Sequence, residues 1–531
     1  MIHEEKEQYT ADALSVQFSK TSTLVENPPE SRTLHANFEG REFYDPHATW
    51  TPEEEAKVEL KTDIRLLAWL ALMFFAAQLD STNMQNALAD NFLNDLDFTM
   101  TEYGNGTMIH RICYLFGGLP GQMVAMRYGY RYLFPGLMCT WGVVAWTQAW
   151  MQNEAGFYAT RGIIGLLEGA FSPLTVMCLS NFYTNTELGF RIAILSSGIN
   201  IAKVLSSLLA AGLLTMRGVA GKPGWFWLIL INGLLIFMIG LVSLFYLPSG
   251  PTRTQTVLWR KPWFSKREQM IMVNRLLRDD ASKGRTGTKA HTSMRDIWNT
   301  IRDPGLIGFW FCASIIYIAK SPVNQYLVLN LRQLGFSRFE SSVLTIPSDF
   351  LRVVTVLTLT RSSGHFKEKA FHCTVPTCIE LPLFATLLLL PSHGYAWVRY
   401  AILTLIIGSP SSHPIMVSWI SCNSFDPKKR GIAIALFGTI HEVGSVAATP
   451  TKKSTEKREK DKPYYYTGNK VLISICVASV VVILSFREVL RHLNRKKRKA
   501  WAELSEIEQR DYNRVEGNKL GNKSLTFAFS Y

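Results

Sequence analysis

Residues 157–180 read FYATRGIIGLLEGAFSPLTVMCLS, and this stretch decides the fold class of the chain. A helix that crosses a bilayer needs on the order of twenty mostly apolar residues, because each backbone polar group must be paired inside the segment. Residues 157–180 have that length, and Arg161 and Glu168 are their only charged residues. The stretch therefore predicts a membrane-spanning helix that carries two ionisable side chains.

Eleven comparable stretches flank it, so that six segments precede residue 248 and six follow residue 303. The predicted segments are 64–86, 104–126, 132–151, 157–180, 192–216, 225–247, 305–328, 340–360, 371–391, 396–420, 431–449 and 470–487. This layout predicts an all-α membrane protein with about twelve transmembrane helices in two six-helix bundles.

The composition agrees with a membrane protein and argues against two other classes. With 47% hydrophobic and 18% charged residues, the 531-residue chain is too apolar for an ordinary soluble protein. Its net charge of +14 comes from Lys and Arg between apolar segments, so we expect a lipid bilayer and no nucleic acid as partner. The eight cysteines are scattered without metal-ligand spacing, which predicts no disulfide framework, no metal and no cofactor.

The predicted spans divide the chain into five parts. Residues 1–62 lack the apolar core of a secretory signal, and we expect a disordered cytoplasmic head there. The two bundles are 63–247 and 304–490, and residues 491–531 form a cytoplasmic tail. The connection 248–303 contains twelve Lys and Arg and no spanning segment, which predicts a basic cytoplasmic loop.

The distribution of basic residues predicts the orientation, since short loops rich in Lys and Arg stay cytoplasmic. Arg127, Arg131, Arg191 and the run 428–430 all fall on one side of the predicted bundle. The connection 90–102 has four acids and no base, and it falls on the opposite side. We therefore expect both termini in the cytoplasm.

Arg161 and Glu168 are the leading candidates for a functional site. They are seven residues apart, so both side chains point from one face of the helix. A guanidinium can hold a carboxylate through two hydrogen bonds, and a desolvated glutamate can hold or release a proton. The alternative is an ion pair that only holds helices together.

Other ionisable residues at membrane depth are also candidates, because a charge costs about 2.5–3.5 kcal/mol at the centre of a spanning helix. Asp80 lies in a polar cluster of the first segment that includes Asn83, with a helix-end residue close to water as the alternative. His110 is more often structural than a proton carrier in such a position. Further residues of this kind are Arg111, Lys203, Lys320, Asp349, Arg352, Glu380, Arg399, His413, His441 and Glu442.

Glycines in these segments predict close helix crossings, since small residues let membrane helices approach. They are Gly117, Gly118, Gly162, Gly165, Gly169 and Gly198. The sequence has no phosphate-binding Gly-rich loop, HExxH or GxSxG motif. We therefore predict a carrier that is neither an ATP-driven pump nor an enzyme.

Several stretches resemble the anion:cation symporters of the major facilitator superfamily, in particular the fungal allantoate permease group. The fourth-helix pattern is Arg161-Gly-Ile-Ile-Gly-Leu-Leu-Glu-Gly-Ala-Phe-Ser-Pro173. Similar elements are Asn181-Phe-Tyr183 with Glu187 and Arg191, Gly218-Val-Ala-Gly221, Gln325-Tyr-Leu, Leu334-Gly-Phe-Ser337, Leu344-Thr-Ile-Pro347 and Asp461-Lys-Pro-Tyr464. Together they cover residues 60–500.

The resemblance implies proton-coupled uptake of a small organic anion of the allantoate, ureidosuccinate, nicotinate or pantothenate class by alternating access, with the site between the halves. It implies Arg161 as the substrate-binding cation, with Glu168 and Asp80 as proton-coupling groups. We add Lys203, Asn83 and Gln325 as substrate-binding candidates. It also implies a monomer in the plasma membrane.

Two departures from the family matter for function. Relatives commonly have Asp-Arg in the first helix, whereas Asp80 is followed here by Ser81, and Lys203 is our candidate for the compensating cation. Residues 450–460 are hydrophilic and basic where relatives continue the eleventh helix. This run indicates either an error in the gene prediction or an altered protein, so the alternatives to a symporter are a non-transporting nutrient sensor and an inactive carrier.

Overall fold

The computed structural model describes residues 38–89, 91–256, 260–280, 293–316, 344–391, 395–425, 427–447, 466–515 and 521–531, with a few single residues between these ranges. Within these ranges the chain is built of helices and has no strand. The hydrophilic run 450–460, on which the gene-error interpretation depends, lies outside the described residues.

The first half begins earlier than the predicted spans. Helix α1 (Pro52–Thr62) starts at a capping box in which the Thr51 side chain accepts from the backbone of Glu54, with Pro52 in the first turn. A π-helical turn, Asp63–Leu67, continues it into α2. The longer helices that follow in this half are α2 (Ala68–Ala89), α3 (Met100–Tyr128), α4 (Tyr130–Thr147), α5 (Glu154–Ser180), α6 (Asn185–Leu214) and α7 (Gly224–Tyr246).

Part of the predicted disordered head is therefore helical and packed. Glu59 of α1 pairs with Arg191 of α6 at 3.3 Å, and Lys61 pairs with Glu268 at 2.8 Å. These contacts tie α1 to the start of α6 and to the connection between the halves. Charge pairing of this kind gives a polar segment enough tertiary contact to stay helical, which hydropathy alone does not reveal.

The connection and the second half contain ten helices of eight residues or more among the described residues. They are α8 (Lys266–Asp279) and α9 (Met294–Ile301) in the connection, then α10 (Pro304–Ile316), α11 (Ile346–Phe366), α12 (Ala370–Leu389), α13 (Ala396–Gly408), α14 (His413–Asn423), α15 (Pro427–Ala447), α16 (Tyr466–Ala502) and α17 (Glu506–Val515). The tenth predicted segment is divided at residues 409–412, where Pro410 follows the end of α13 and Pro414 opens α14. Helix α16, which contains the twelfth predicted segment, continues to Ala502, so it includes the start of the predicted tail.

Six described helices are long and apolar enough to cross a membrane by length and composition. They are Pro52–Leu88, Glu154–Ser180, Gly224–Tyr246, Ala370–Leu389, Ala396–Asn423 and Gly468–Ala502. Helices α3 and α15 are as long but fall outside this set, and both carry ionisable residues at mid-length, such as Arg111 and Glu442. Such residues lower the mean hydropathy of a helix that faces the interior of a bundle.

Each half is a bundle in which α3 packs on α5, α4 on α7, α12 on α16 and α10 on α15. The halves meet where α6 contacts α11 and α14, and where α3 contacts α15. At the end of the molecule where α5 ends and α6 begins, the Ser418 hydroxyl donates to the Asn185 carbonyl at 2.9 Å, and Arg430 pairs with Asp280. We call this end the closed end.

The C-terminal segment 521–531 packs against the second half. The side-chain amide of Asn494 exchanges two hydrogen bonds of 2.8 Å with the backbone of Phe529. Asn423 does the same with the backbone of Ser530, at 2.8 and 3.0 Å. Because Asn423 ends α14 and Asn494 lies in α16, the segment joins these two helices.

Candidate functional site

A cavity of about 580 Å³ lies between the two halves. Its walls come from α2, α3, α5 and α6 of the first half and from α10, α11, α12, α14 and α15 of the second. The ionisable residues that line it are His110, Arg111, Arg161, Glu168, Arg352, Glu380, His413, His441 and Glu442. Side chains from separate parts of the sequence thus face one common space.

Glycines explain how α3 and α5 bring their side chains together. A Cβ on Gly165 would lie 2.2 Å from the carbonyl oxygen of His110, and one on Gly169 would lie 2.1 Å from that of Tyr114. The backbones therefore touch along this crossing, as predicted from the sequence for these glycines. Gly198 is different, because among the described residues nothing lies within 4 Å of its Cβ position and none of them makes a close crossing there.

The close crossing places His110 against Glu168. The Nε2 atom of His110 lies 3.1 Å from Oε2 of Glu168, and its Nδ1 lies 3.3 Å from the carbonyl oxygen of Arg161. Both side chains are largely buried and line the cavity. An imidazole and a carboxylate at hydrogen-bond distance can exchange a proton, so this pair can store one next to the cavity.

Arg161 is buried, yet none of the described residues neutralises it at contact distance. Within the described part of the chain its guanidinium forms no ion pair, and its Nε has no hydrogen-bond partner. Glu168, seven residues on, binds His110 instead. Within the described residues Arg161 and Glu168 therefore form no ion pair with each other, and the guanidinium lines the cavity with hydrogen-bonding capacity left over.

Asp80 lies behind the cavity wall and does not line the cavity itself. It is buried, and its Oδ2 accepts a hydrogen bond of 3.1 Å from Nε1 of Trp141 on α4. The charges of Arg161, Glu168 and His110 act on it electrostatically. The alternative of a helix-end residue close to water is excluded by this burial, and Asp80 belongs to the charged cluster of the first half.

The other three predicted binding residues have different outcomes. Asn83 is buried, but it ties α2 to α6 by accepting a 2.8 Å hydrogen bond from the Ser206 hydroxyl, and it does not line the described cavity. The backbone of Lys203 belongs to α6, whereas its side chain lies outside the described residues. Gln325 also lies outside them.

The second half contributes cavity residues that the sequence analysis named as candidates without assigning them a role. Arg352 of α11 lines the cavity, and its buried Nε has no hydrogen-bond partner. His441 Nδ1 lies 3.2 Å from Oε1 of its neighbour Glu442, and the His413 and His441 rings are 5.7 Å apart. Ionisable side chains at membrane depth were the available signal, but the sequence does not say which of them face the same space.

The charges around the cavity are balanced. Among the described residues that line it, three arginines face three glutamates and three histidines. Adding an anion to such a cavity leaves excess negative charge in a poorly solvated place, which is costly unless a proton enters with it. The arrangement can therefore bind an anion and take up a proton.

A second cavity, of about 780 Å³, lies at the closed end near residues 126–132 and 428–434. Three of its basic residues form ion pairs, Arg253 with Glu39, Lys428 with Asp296 and Arg430 with Asp280, and Arg131 donates a 2.9 Å hydrogen bond to Ser249. We therefore assign the functional site to the central cavity, where Arg161 and Arg352 form no ion pair among the described residues.

Comparison with known proteins agrees with this architecture. The Major Facilitator Superfamily model matches residues 70–449. An uncharacterized transporter of Saccharomyces cerevisiae is 32% identical over 496 residues, covering 93% of this chain and 90% of that protein. A putative tartrate transporter of Agrobacterium vitis is 29% identical over 243 residues, covering 46% of this chain and 54% of that protein.

A solved structure shows the same fold. The proton:xylose symporter XylE matches with a TM-score of 0.60 at 15% sequence identity, covering 82% of this chain and 96% of that chain. The predicted all-α major facilitator fold and the prediction of a multi-pass carrier without enzymatic activity are confirmed by these matches. The helices of both halves and the relatives named as transporters together establish that this chain belongs to the major facilitator superfamily of membrane transporters.

Proposed function

We propose that this transporter takes up a small organic anion of the allantoate, ureidosuccinate, nicotinate or pantothenate class together with protons, by alternating access. The observation that carries the proposal is the guanidinium of Arg161, which is buried, lines the cavity next to the His110–Glu168 pair and forms no ion pair with any described residue.

Arg161 would bind the anionic group of the substrate. A buried charge without a partner is unfavourable, whereas a carboxylate satisfies a guanidinium through two parallel hydrogen bonds. The substrate would therefore complete an interaction that the chain itself leaves open. The putative tartrate transporter from Agrobacterium vitis is named for an organic anion, and this supports an organic anion as the class of substrate.

Glu168 would couple this binding to a proton. With the cavity charges balanced in the described residues, an incoming anion is easier to accommodate when a carboxyl group is protonated. The Glu168 carboxylate has His110 at 3.1 Å for proton exchange, and Asp80 is the second buried carboxyl of the same cluster. We assign Glu168 and Asp80 as the proton-coupling groups.

The closed end would face the cytoplasm, with both termini there and the protein acting as a monomer in the plasma membrane. The contacts from Ser418 to Asn185 and from Arg430 to Asp280 would then hold the inner gate shut while the cavity accepts substrate from the outside. Release would require these contacts to break as the halves rock, as in other carriers with two related bundles.

The test begins with a growth screen of a permease-deficient fungal host on the named compounds, followed by uptake into proteoliposomes. We expect uptake to rise with an inward proton gradient, to be lost in Arg161→Ala, and to lose its gradient dependence in Glu168→Gln. Arg302→Gln, an exposed arginine outside the cavity, is the control. Binding without flux would favour the sensor, and gradient-independent uptake in both variants would refute the symport mechanism.

A further inference from the structure

We infer that the substrate carries two anionic groups, one held by Arg161 of the first half and the other by Arg352 of the second. This inference rests on the proposed function and narrows its substrate class from organic anions to dianions, such as dicarboxylates.

The two arginines share two features. Both line the central cavity, and in both the Nε atom is buried without a hydrogen-bond partner. Within the described residues neither guanidinium forms an ion pair, although acids lie close enough to act on them electrostatically. Each therefore keeps hydrogen-bonding capacity directed at the contents of the cavity.

The acids near Arg352 do not satisfy it. Asp349 and Glu380 act electrostatically on its charge, but within the described residues neither forms an ion pair with it. Glu380 Oε1 instead accepts a 2.6 Å hydrogen bond from the hydroxyl of Ser409, at the break between α13 and α14. Because Glu380 is hydrogen-bonded to Ser409 at this break, the Arg352 guanidinium remains available to a ligand.

The third arginine of the cavity, Arg111, also acts electrostatically on a nearby acid, Glu442. It differs in that, within the described residues, its Nε is not a buried atom without a partner. The cavity thus contains two arginines with orphaned Nε atoms, and they belong to opposite halves. One small monoanion would satisfy one of them and leave the other buried and unpaired, which is unfavourable.

A dianion would pair with the guanidinium groups of both Arg161 and Arg352, and it would thereby link the two halves. Its two anionic groups would contact α5 and α11 at once, so that substrate binding favours the arrangement in which the halves close around the cavity. A monoanion has no contact that bridges the halves in this way. The preference for a dianion therefore follows from the positions of the two guanidinium groups, since one belongs to each half and the halves move relative to each other during transport.

The test measures binding of matched acids to the purified full-length protein in lipid nanodiscs by calorimetry. The probes are succinate, glutarate and adipate against butyrate, valerate and caproate, which differ in the second carboxylate. We expect the best dicarboxylate to bind about tenfold or more tightly than its partner, as one charge-assisted pair allows. Arg352→Gln should remove this preference, so that each dicarboxylate binds no more tightly than the monocarboxylate of the same chain length.

Two further variants keep the result interpretable. Arg361→Gln removes an exposed arginine from the same helix outside the cavity and should keep the preference. Arg352→Lys keeps the charge and should retain part of the preference, and it covers the case in which the glutamine variant fails to fold.

The outcomes separate the two proposals. Monocarboxylates that bind in an Arg161-dependent manner, with no gain from a second carboxylate and no effect of Arg352→Gln, would overturn the dianion inference and leave the proposed function standing. Absence of binding by every acid of both kinds would count against the proposed function and the inference together.

Discussion

His110 Nε2 lies 3.1 Å from Glu168 Oε2, although the two residues belong to different helices. The contact exists because Gly165, three residues before Glu168, lets α5 touch the backbone of α3 at His110 itself. The same crossing puts Nδ1 of His110 near the Arg161 carbonyl oxygen. A backbone contact thus fixes the geometry of the pair that we assign to proton coupling.

Replacing Glu168 by Gln should separate proton coupling from translocation. Gln keeps the size and a hydrogen bond to His110 but holds no exchangeable charge, so accumulation driven by a pH gradient should be lost while substrate exchange across the membrane is retained. Both activities are measured in the same proteoliposomes. Glu154→Gln, at the exposed start of the same helix, should keep both. Full gradient-driven accumulation by Glu168→Gln would contradict the assignment.

Replacing Gly165 by Ala should destabilise the first half. The new methyl carbon would lie 2.2 Å from a backbone oxygen, so α3 and α5 must separate, at a cost of about 1–3 kcal/mol for overpacking. The midpoint of thermal unfolding in detergent should fall, and transport should fall with it.

Gly198→Ala is the matched control for this substitution. In the part of the chain that the structure describes, nothing lies within 4 Å of its Cβ position, and alanine favours a helix over glycine by about 1 kcal/mol. We expect an unchanged or slightly higher midpoint. Equal behaviour of the two alanine variants would show that the α3–α5 crossing is looser than described.

Removing the indole donor to Asp80 should destabilise the protein. Trp141→Phe keeps an aromatic ring but leaves the buried carboxylate without its 3.1 Å hydrogen bond, which costs about 1–3 kcal/mol or more for a charged group. A lower unfolding midpoint is the readout, and Trp150→Phe, half-exposed beyond the end of α4, is the control. Identical midpoints for the two variants would refute this role of Trp141.

The position of the C-terminal segment should depend on its hydrogen bonds to Asn494 and Asn423. Asn494→Ala removes both hydrogen bonds to the Phe529 backbone, so residues 521–531 should be released and the segment should be cleaved faster by added protease. The adjacent Arg495→Ala is exposed and should not change the rate. The measurement is loss of a C-terminal epitope with time, and an equal rate in both variants would show that Asn494 does not hold the segment.

The sequence predicted the helical carrier, because length and hydropathy are local properties of each segment. It also selected Arg161, Glu168 and Asp80, since an ionisable side chain inside an apolar run stands out without any knowledge of its neighbours. The break at residues 409–412 could also have been predicted from the sequence, because Pro410 lies in it and Pro414 follows it. The apolar residues around these prolines instead suggested one continuous segment.

Tertiary structure alone decided which of these residues act together. Asn83 and Asp80 lie one helical turn apart, yet Asn83 is bound to Ser206 while Asp80 faces Trp141 and the charged cluster. Arg352 reaches the cavity of Arg161 only because two bundles, far apart in sequence, pack against each other. The sequence by itself determined a two-bundle membrane carrier with charges at membrane depth, and the packing of its helices decided their partners, because pairing depends on distances between helices that no local pattern encodes.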